Sequence, residues 1–450
     1  MPPTVHRPFP LLPILLCAAL LFVWPLPGTI ALRYLLISLA GIAVFASFRT
    51  KGRGLRRQEP LAAVLVGLSL WFLFQALAIS AETSWALDEL RGQWVPAVAA
   101  CAIGIFLAVG VGRQGQPKAL AMLAAPLLLL VVLGIGQSVW HLVRYHQLLR
   151  MEVPLTGGHL EMSVVINALL SVAIADLLCR AASGIRLLPV TTPIVLFAIG
   201  CALAEGYIAN ARNGIIGTAF LATMAVFLAL REPKLRQMLR SRWRIALVTV
   251  TAFVAIGAAI LARDARWDFL DTVPVAWDIR NNTAWLAENR PVPRLPDGQP
   301  VEISAYIRVA FIRAGLELIA EHPFGVGYGR NAFGHALVQA YPDSNVGHAH
   351  SGWIDLGIAT GLPGLLLWSL FMTILVRMGW VGWRDRRDGF ALALLLLTTE
   401  YSLRMALDSV NRDHMLQTFL FLVGFLSVRE AKNDERTGDV VVRRRTCDVA

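Results

Sequence analysis

Residues 190–230 read VTTPIVLFAIGCALAEGYIANARNGIIGTAFLATMAVFLAL. Glu205 and Arg212 are the only charged side chains in this stretch, and Asn210, Ala211, Arg212, Asn213 and Gly214 alone interrupt its apolar run. Lipid offers no partner to backbone N–H and C=O groups, so an apolar run that crosses a bilayer does so as a helix. About 20 residues are needed for each crossing. The stretch therefore reads as two membrane helices joined by a tight polar turn, and the same pattern recurs along the chain. Candidate spans fall at 9–25, 30–48, 61–80, 94–112, 119–139, 162–179, 190–209, 214–230, 245–262, 353–376, 390–409 and 411–428. In the last of these only Met415 to Val428 is cleanly apolar. The fold class is an all-α polytopic membrane protein of about 12 transmembrane helices.

Composition agrees. Of 450 residues, 56% are hydrophobic and 16% charged, and mean hydropathy is +0.60. Soluble domains carry about 25% charge. A soluble enzyme, a disordered chain and a disulfide-rich secreted domain are excluded. The net charge of +11 would raise nucleic acid as a partner in a soluble protein. Here it reads as basic residues that hold loops on the cytoplasmic side. The partner expected is the phospholipid bilayer, with no nucleic acid. Cys17, Cys101, Cys179 and Cys201 lie in apolar runs and Cys447 in the tail, without the spacing of a disulfide framework or a zinc site. The run from Leu11 to Trp24 has the look of a signal-peptide core, but Pro25, Leu26, Pro27 and Gly28 follow it rather than a small-x-small cleavage site. It reads as an uncleaved first span.

With the N-terminus inside, dense basic clusters fall on inside loops. These are Arg49, Lys51, Arg53, Arg56 and Arg57, then Arg231, Lys234, Arg236, Arg240, Arg242 and Arg244, then Arg377, Arg384, Arg386 and Arg387. All the lysines (Lys51, Lys118, Lys234 and Lys432) also fall inside. Both termini are expected in the cytoplasm. The chain divides into membrane helices one to nine (1–262), a large outside loop with amphipathic helices (263–352), membrane helices ten to twelve (353–428) and a polar basic tail (429–450) expected to be disordered. Ser304 to Glu321 alternates apolar Ile307, Phe311, Leu318 and Ile319 with polar Arg308, Arg313, Glu317 and Glu321, the pattern of an amphipathic helix.

Charged groups in or beside apolar runs are functional candidates, and four sets stand out. Arg212 lies at the outer end of a tight turn, where its planar guanidinium fork suits a lipid-linked phosphate. A snorkelling helix anchor reads equally well. Glu205, seven residues earlier, is placed to orient it, though two turns is long for a direct pair. The second set is Arg308 and Arg313, followed by Pro323-Phe324-Gly325-Val326-Gly327-Tyr328-Gly329, whose glycines permit a tight reversal against a ligand or another helix. The alternative is a solvated helix with surface arginines. The third and most specific is His350-Ser351, then nine residues, then Gly361-Leu362-Pro363-Gly364. His350 sits where the outside loop re-enters the membrane, and imidazole suits general-base work near neutral pH. An interface anchor is the bland alternative. His348, His335 and Asp343 nearby invite a metal reading, but the ligand spacing is weak and no metal is expected. The fourth set is Glu400, Arg404, Asp408 and Arg412, spaced by four and so on one helical face. It reads as an ion-pair ladder, or as a face on which Arg404 or Arg412 lines a glycan or phosphate cavity.

Together these motifs resemble the O-antigen ligase/polymerase family of bacterial envelope glycosyltransferases. The family pattern His-[Asn/Ser/Gln]-x9-Gly-x-x-Gly is met at His350, Ser351, Gly361 and Gly364. The segment from Arg308 through Pro323 to Phe333 is similar to the family's Arg-led helix followed by Pro-x-x-Gly-x-Gly. Arg212 matches the family Arg, although Ala211-Arg212-Asn213 departs from the usual Ser-Arg-Gly. The resemblance implies a GT-C-like, metal-independent inverting transferase without a cofactor, in a Gram-negative inner membrane with its site facing the periplasm. The donor would be O-antigen polysaccharide on undecaprenyl diphosphate. The acceptor would be a hydroxyl of lipid A–core, so that transfer completes lipopolysaccharide. Catalytic roles fall to His350, Arg212 and Arg308, and substrate contacts to Arg313, His348, Ser351, Gly361, Gly364, Arg404 and Arg412. A polymerase or a protein O-glycosyltransferase of the same fold is the near alternative. A twelve-span transporter is the alternative from another class.

Overall fold

A computed structural model describes residues 9–48, 59–149, 153–234, 236–237, 269–287 and 289–428. Eight helices among them are long and apolar enough to cross a membrane. Helices stand at every expected span but the ninth, 245–262, which lies outside the described residues, as does the tail. α1 (Leu11–Val23) and α2 (Ile30–Phe48) form a hairpin, and α3 (Glu59–Ala78) follows. A short α4 (Thr83–Glu89) runs through one π-helical turn, Leu90–Trp94, into α5 (Val95–Tyr145). At 51 residues α5 is far longer than one crossing. It is broken at Gly112, whose φ of 64° and ψ of 169° are not helical. Gln116 Nε2 donates to the Ala108 carbonyl at 3.3 Å. Eight residues of straight helix would hold these backbones about 12 Å apart, so the chain turns back on itself here, between the two expected spans.

α6 (His159–Ser183), α7 (Thr192–Ala209) and α8 (Arg212–Arg231) follow. The long loop ahead of residue 352 carries α9 (Phe269–Trp277), the expected amphipathic helix α10 (Ile303–Glu321) and α11 (Ala332–Ala340). The chain ends in α12 (Gly352–Arg386), α13 (Gly389–Leu407) and α14 (Asp413–Ser427). With 15 residues, α14 is only about 22 Å long. Every residue from Met415 to Ser427 in it is buried. It packs on α5 at the centre of the bundle, where a Cβ on Gly104 would overlap the Phe421 carbonyl and one on Gly424 the Cys101 carbonyl. Small residues at crossings are how membrane helices approach closely. Leu15, Ile42, Phe45, Leu70, Phe197 and Leu366 are exposed on the bundle's outside, as a lipid-facing surface requires.

The loop has its own apolar core. Trp285, Tyr306, Phe311, Phe333 and Leu337 pack with Ile354 and Ile358 of α12. Burying large aromatic rings of this kind is the main drive for a small cap to fold. That core presses the loop onto one end of the bundle, where the polar residues gather.

Candidate functional site

α8 begins, α13 ends, and α12 and α14 begin at this same end. The chain leaves α7 through Asn210 in a left-handed conformation (φ 49°), and Arg212 is the first residue of α8. The Arg212 guanidinium is half exposed, 3.7 Å from the carboxylate of Glu302. Glu302 caps α10 by accepting the Ala305 N–H at 2.6 Å. The partner of Arg212 is therefore Glu302 and not the expected Glu205. Glu205 is buried beside Gly134, and neither of its carboxylate oxygens is hydrogen bonded among the described residues. Two helical turns separate it from Arg212 along the chain, and the intervening αL turn redirects the backbone. Asn213 faces the other way and donates to the Leu407 carbonyl at 3.0 Å and to Asp408 Oδ2 at 2.9 Å.

Asp408 lies just past the end of α13. His350 Nδ1 is 4.0 Å from its other oxygen. Burial pushes the Asp408 carboxyl up, and the His350 ring, the Asn213 amide, the Ser409 N–H and the Arg404 charge outweigh that and bring it down to about 2. Asp408 is thus a fixed anion at any physiological pH. His350 is itself left-handed, with φ 51°, and its ring lies parallel to that of Phe311 at 5.9 Å. The imidazole is accordingly held between a carboxylate and an aromatic face. Nδ1 is the ring nitrogen turned to Asp408, and the side chain as a whole is partly exposed. Ser351 is turned inward, its Oγ donating to the Met405 carbonyl at 3.3 Å.

Arg308 stands one turn before Phe311 on α10. Its Nη1 donates to Ser304 at 2.9 Å, and its buried Nε has no partner among the described residues. α10 thereby links Arg212 through Glu302, His350 through Phe311, and carries Arg308 between them. Arg313 is not part of this group. It pairs with Glu317 at 2.6 Å and lies over the Trp277 ring of α9.

His348 and Arg412 flank the pair. The His348 and His350 ring centres are 4.4 Å apart. Burial, then the Arg412 and His350 charges, lower the His348 imidazole to about 4 against the opposing pull of Asp408, which leaves it neutral at pH 7. Arg412 lines a small cleft with Gln93, Tyr328, Arg330, Asp355 and Asn411. Arg330 closes one wall. It grips Glu89 at 2.8 Å and Asp413 at 3.2 Å, tying the loop to α4 and α14.

The spacing-by-four reading of Glu400, Arg404, Asp408 and Arg412 fails beyond Leu407, because α13 stops there. No ladder forms. Glu400 instead accepts from Asn167 at 2.6 Å and Arg404 donates to Ser163 at 2.8 Å, both partners on α6. Arg404 is buried inside the bundle, with Nε and Nη1 unbonded among the described residues.

Gly361 and Gly364 pack the motif's other end. Gly361 has φ 66° and ψ −173° and breaks α12 ahead of Pro363. The carbonyls freed by the break are taken up by the Pro323–Gly327 segment. Val326 N–H donates to Ile358 O at 3.0 Å and Gly327 N–H to Ala359 O at 3.1 Å, while Leu362 N–H returns to Pro323 O at 2.8 Å. A Cβ on Gly361 would overlap the Pro323 carbonyl. A Cβ on Gly364 would meet Thr360. Of the two openings left to the Gly-rich reversal, a ligand or a helix, it lies against a helix.

Sequence reading missed Asp355. It stands five residues after His350 and accepts from Ala349 N–H at 2.7 Å and from Ser409 Oγ. An acid at the mouth of an apolar helix was a usable signal, but acids are common in first turns. The His335 ring stacks on Trp85 at 4.0 Å and Asp343 faces Arg290 at 4.0 Å, so neither joins His348 and His350. Among the described residues no group of three or more His, Cys, Asp or Glu is placed to hold a metal ion.

Fold and site define a multi-pass helical membrane protein with one charged, partly capped end. Residues 194–369 match the family model described as O-antigen ligase, which supports the O-antigen ligase/polymerase superfamily. The match runs from α7 past Gly364 and includes Arg212, Arg308 and His350. It supports a function of ligase/polymerase type in a bacterial membrane. No curated protein matches the chain.

Proposed function

We propose that the protein is an O-antigen ligase that transfers polysaccharide from undecaprenyl diphosphate to a hydroxyl of lipid A–core at the periplasmic face of the inner membrane. The observation that carries this reading is the set Arg212-Asn213, Asp408 and His350. Asn213 holds one oxygen of Asp408 and His350 faces the other. Asn213, next in the chain to the Arg212 cation, thus shares the Asp408 carboxylate with an oriented imidazole, within or next to the matched family segment.

The chemistry follows from which partner is weak. Diphosphate is a good leaving group, so no strong acid is needed on the donor side. Arg212 and the unbonded Nε of Arg308 suit the negative charge that develops as the C1–oxygen bond breaks. A guanidinium donates in a plane to two phosphate oxygens at once. The acceptor hydroxyl is a poor nucleophile, so a base is needed. Nε2 of His350 takes its proton as the oxygen attacks C1, and the neighbouring Asp408 stabilises the imidazolium that forms. One in-line displacement inverts the anomeric centre. Undecaprenyl diphosphate departs with the bonding pair, and the reaction draws on no metal and no nucleotide.

Reconstitution tests the assignment. The purified protein is supplied with an undecaprenyl-diphosphate glycan, with and without lipid A–core, and the products are resolved on a gel with and without chelator. Glycan on lipid A–core, unaffected by chelator, is the expected result. Lengthened lipid-linked glycan with the acceptor untouched would contradict the ligase reading and identify a polymerase.

A further inference from the structure

We propose that Asp355 is a positioning residue for the His350–Asp408 pair, a buried carboxylate that staples together the two loops on which they stand. The inference rests on the reading of His350 as the base.

The argument is one of connectivity. Ala349 immediately precedes His350, and Ser409 immediately follows Asp408. Asp355 Oδ1 accepts the Ala349 N–H at 2.7 Å, and Oδ2 accepts the Ser409 hydroxyl. A single side chain therefore bridges the two loops next to both members of the pair. Further bonds join them on the other side. Gly352 N–H donates to the Asp408 carbonyl at 3.0 Å, and Asn411 Nδ2 donates to the Gly352 carbonyl at 3.2 Å. Gly352 has no room for a Cβ, which would fall 2.7 Å from Asn411 Oδ1. The loops thus meet as a fitted joint with Asp355 at its buried side.

Two features of the pair need such a joint. His350 holds φ at 51°, a conformation a non-glycine residue keeps only when its surroundings fix it. His350 Nδ1 and Asp408 Oδ1 are 4.0 Å apart, beyond hydrogen-bond length. The pair must close by about 1 Å to share a proton as imidazolium forms, and a loop displaced further would not reach. Asp355 borders the cleft of Arg412, but it is buried and each of its oxygens is bonded to one of the two loops, so it acts through His350.

The bonds also predict which substitutions are tolerated. Asparagine can accept from Ala349 N–H through Oδ1 and donate to Ser409 Oγ through Nδ2, which keeps both arms. Alanine keeps neither.

The test uses the full-length protein in lipid nanodiscs, with undecaprenyl-diphosphate glycan as donor and lipid A–core as acceptor. Asp355→Ala is expected to lower kcat about 100-fold, on the scale of a displaced general base, with donor KM unchanged. Asp355→Asn is expected to stay within about tenfold of wild type, because the two bonds survive. Ser409→Ala, which cuts one arm, should fall between them. The double variant Asp355→Ala/Ser409→Ala should be no worse than Asp355→Ala, since both act through one joint. If Asp355→Ala does not fold, Ser409→Ala and Asp355→Asn decide, with a lower kcat expected in the first and near wild-type turnover in the second. Wild-type kcat in Ser409→Ala together with Asp355→Ala would overturn the proposal. So would a folded Asp355→Asn as inactive as Asp355→Ala, or a rise in KM at unchanged kcat. Wild-type turnover in His350→Ala, run alongside, would instead overturn the base reading beneath it.

Discussion

Two imidazoles stand side by side at the loop end of the bundle and differ in what they can do. His350 is half exposed with a carboxylate behind it. His348 is depressed to about 4 by burial and by the charges of Arg412 and His350. An unfolded histidine takes up a proton near 6.5, whereas folded His348 resists until about 4. Between these values the unfolded chain binds more protons, so stability falls as pH drops through that window. His348→Gln should lose this dependence. The variant's melting temperature should gain on wild type between pH 7 and pH 5, and parallel curves would contradict the shift. Asp408 has the same sign but acts in a lower window. Its depressed carboxyl stabilises the fold above the ordinary range near 3.9 and loses that effect only as pH falls toward 2, so it does not distort the measurement. At Arg212, lysine keeps the charge but not the planar fork. Arg212→Lys should lose at least about tenfold in transfer with normal membrane insertion, while full activity would reduce Arg212 to an anchor.

Among the elements, α12 and the Pro323–Gly327 segment share one joint. Gln75 of α3 locks it, donating to the Phe324 carbonyl at 2.8 Å and the Ala359 carbonyl at 2.6 Å. Gly361→Ala would add a Cβ against the Pro323 carbonyl at a positive φ. A cost of about 3 kcal/mol or more is expected from the strain and the lost docking, read as a lower melting temperature in detergent. An unchanged melt would show that the segment is not seated there. The helices themselves were legible in the sequence, since apolar runs and polar turns leave few choices in lipid. Gly361 and Pro363 likewise announced a break. The ladder from Glu400 to Arg412 misled because spacing by four describes neighbours only while a helix continues, and α13 ends at Leu407. Glu302 as the partner of Arg212, and Asp355 as the tie between His350 and Asp408, were not legible. Both join segments far apart in the chain, or act through backbone groups, and no local pattern encodes either.

For the whole molecule, the charged residues of the site gather at the loop end, a second charged set that includes Arg180, Asp176, Arg387 and Glu232 lies at the other, and apolar side chains face outward between them. Arg330 fastens the loop cap there through Glu89 and Asp413. Arg330→Ala should loosen the cap, increasing hydrogen exchange in α11 while leaving α6 protected; equal protection in both would contradict this role. On the proposed function this end would lie outside the cytoplasm and the basic loops within it. The claim on which that function depends most is that His350 removes a proton during transfer and does not merely hold substrate. The direct measurement is single-turnover transfer by His350→Ala in nanodiscs, with donor binding measured on the same preparation. Wild-type donor affinity and a transfer rate lower by about 100-fold or more are expected. A wild-type transfer rate, or a loss explained entirely by weaker donor binding, would contradict it.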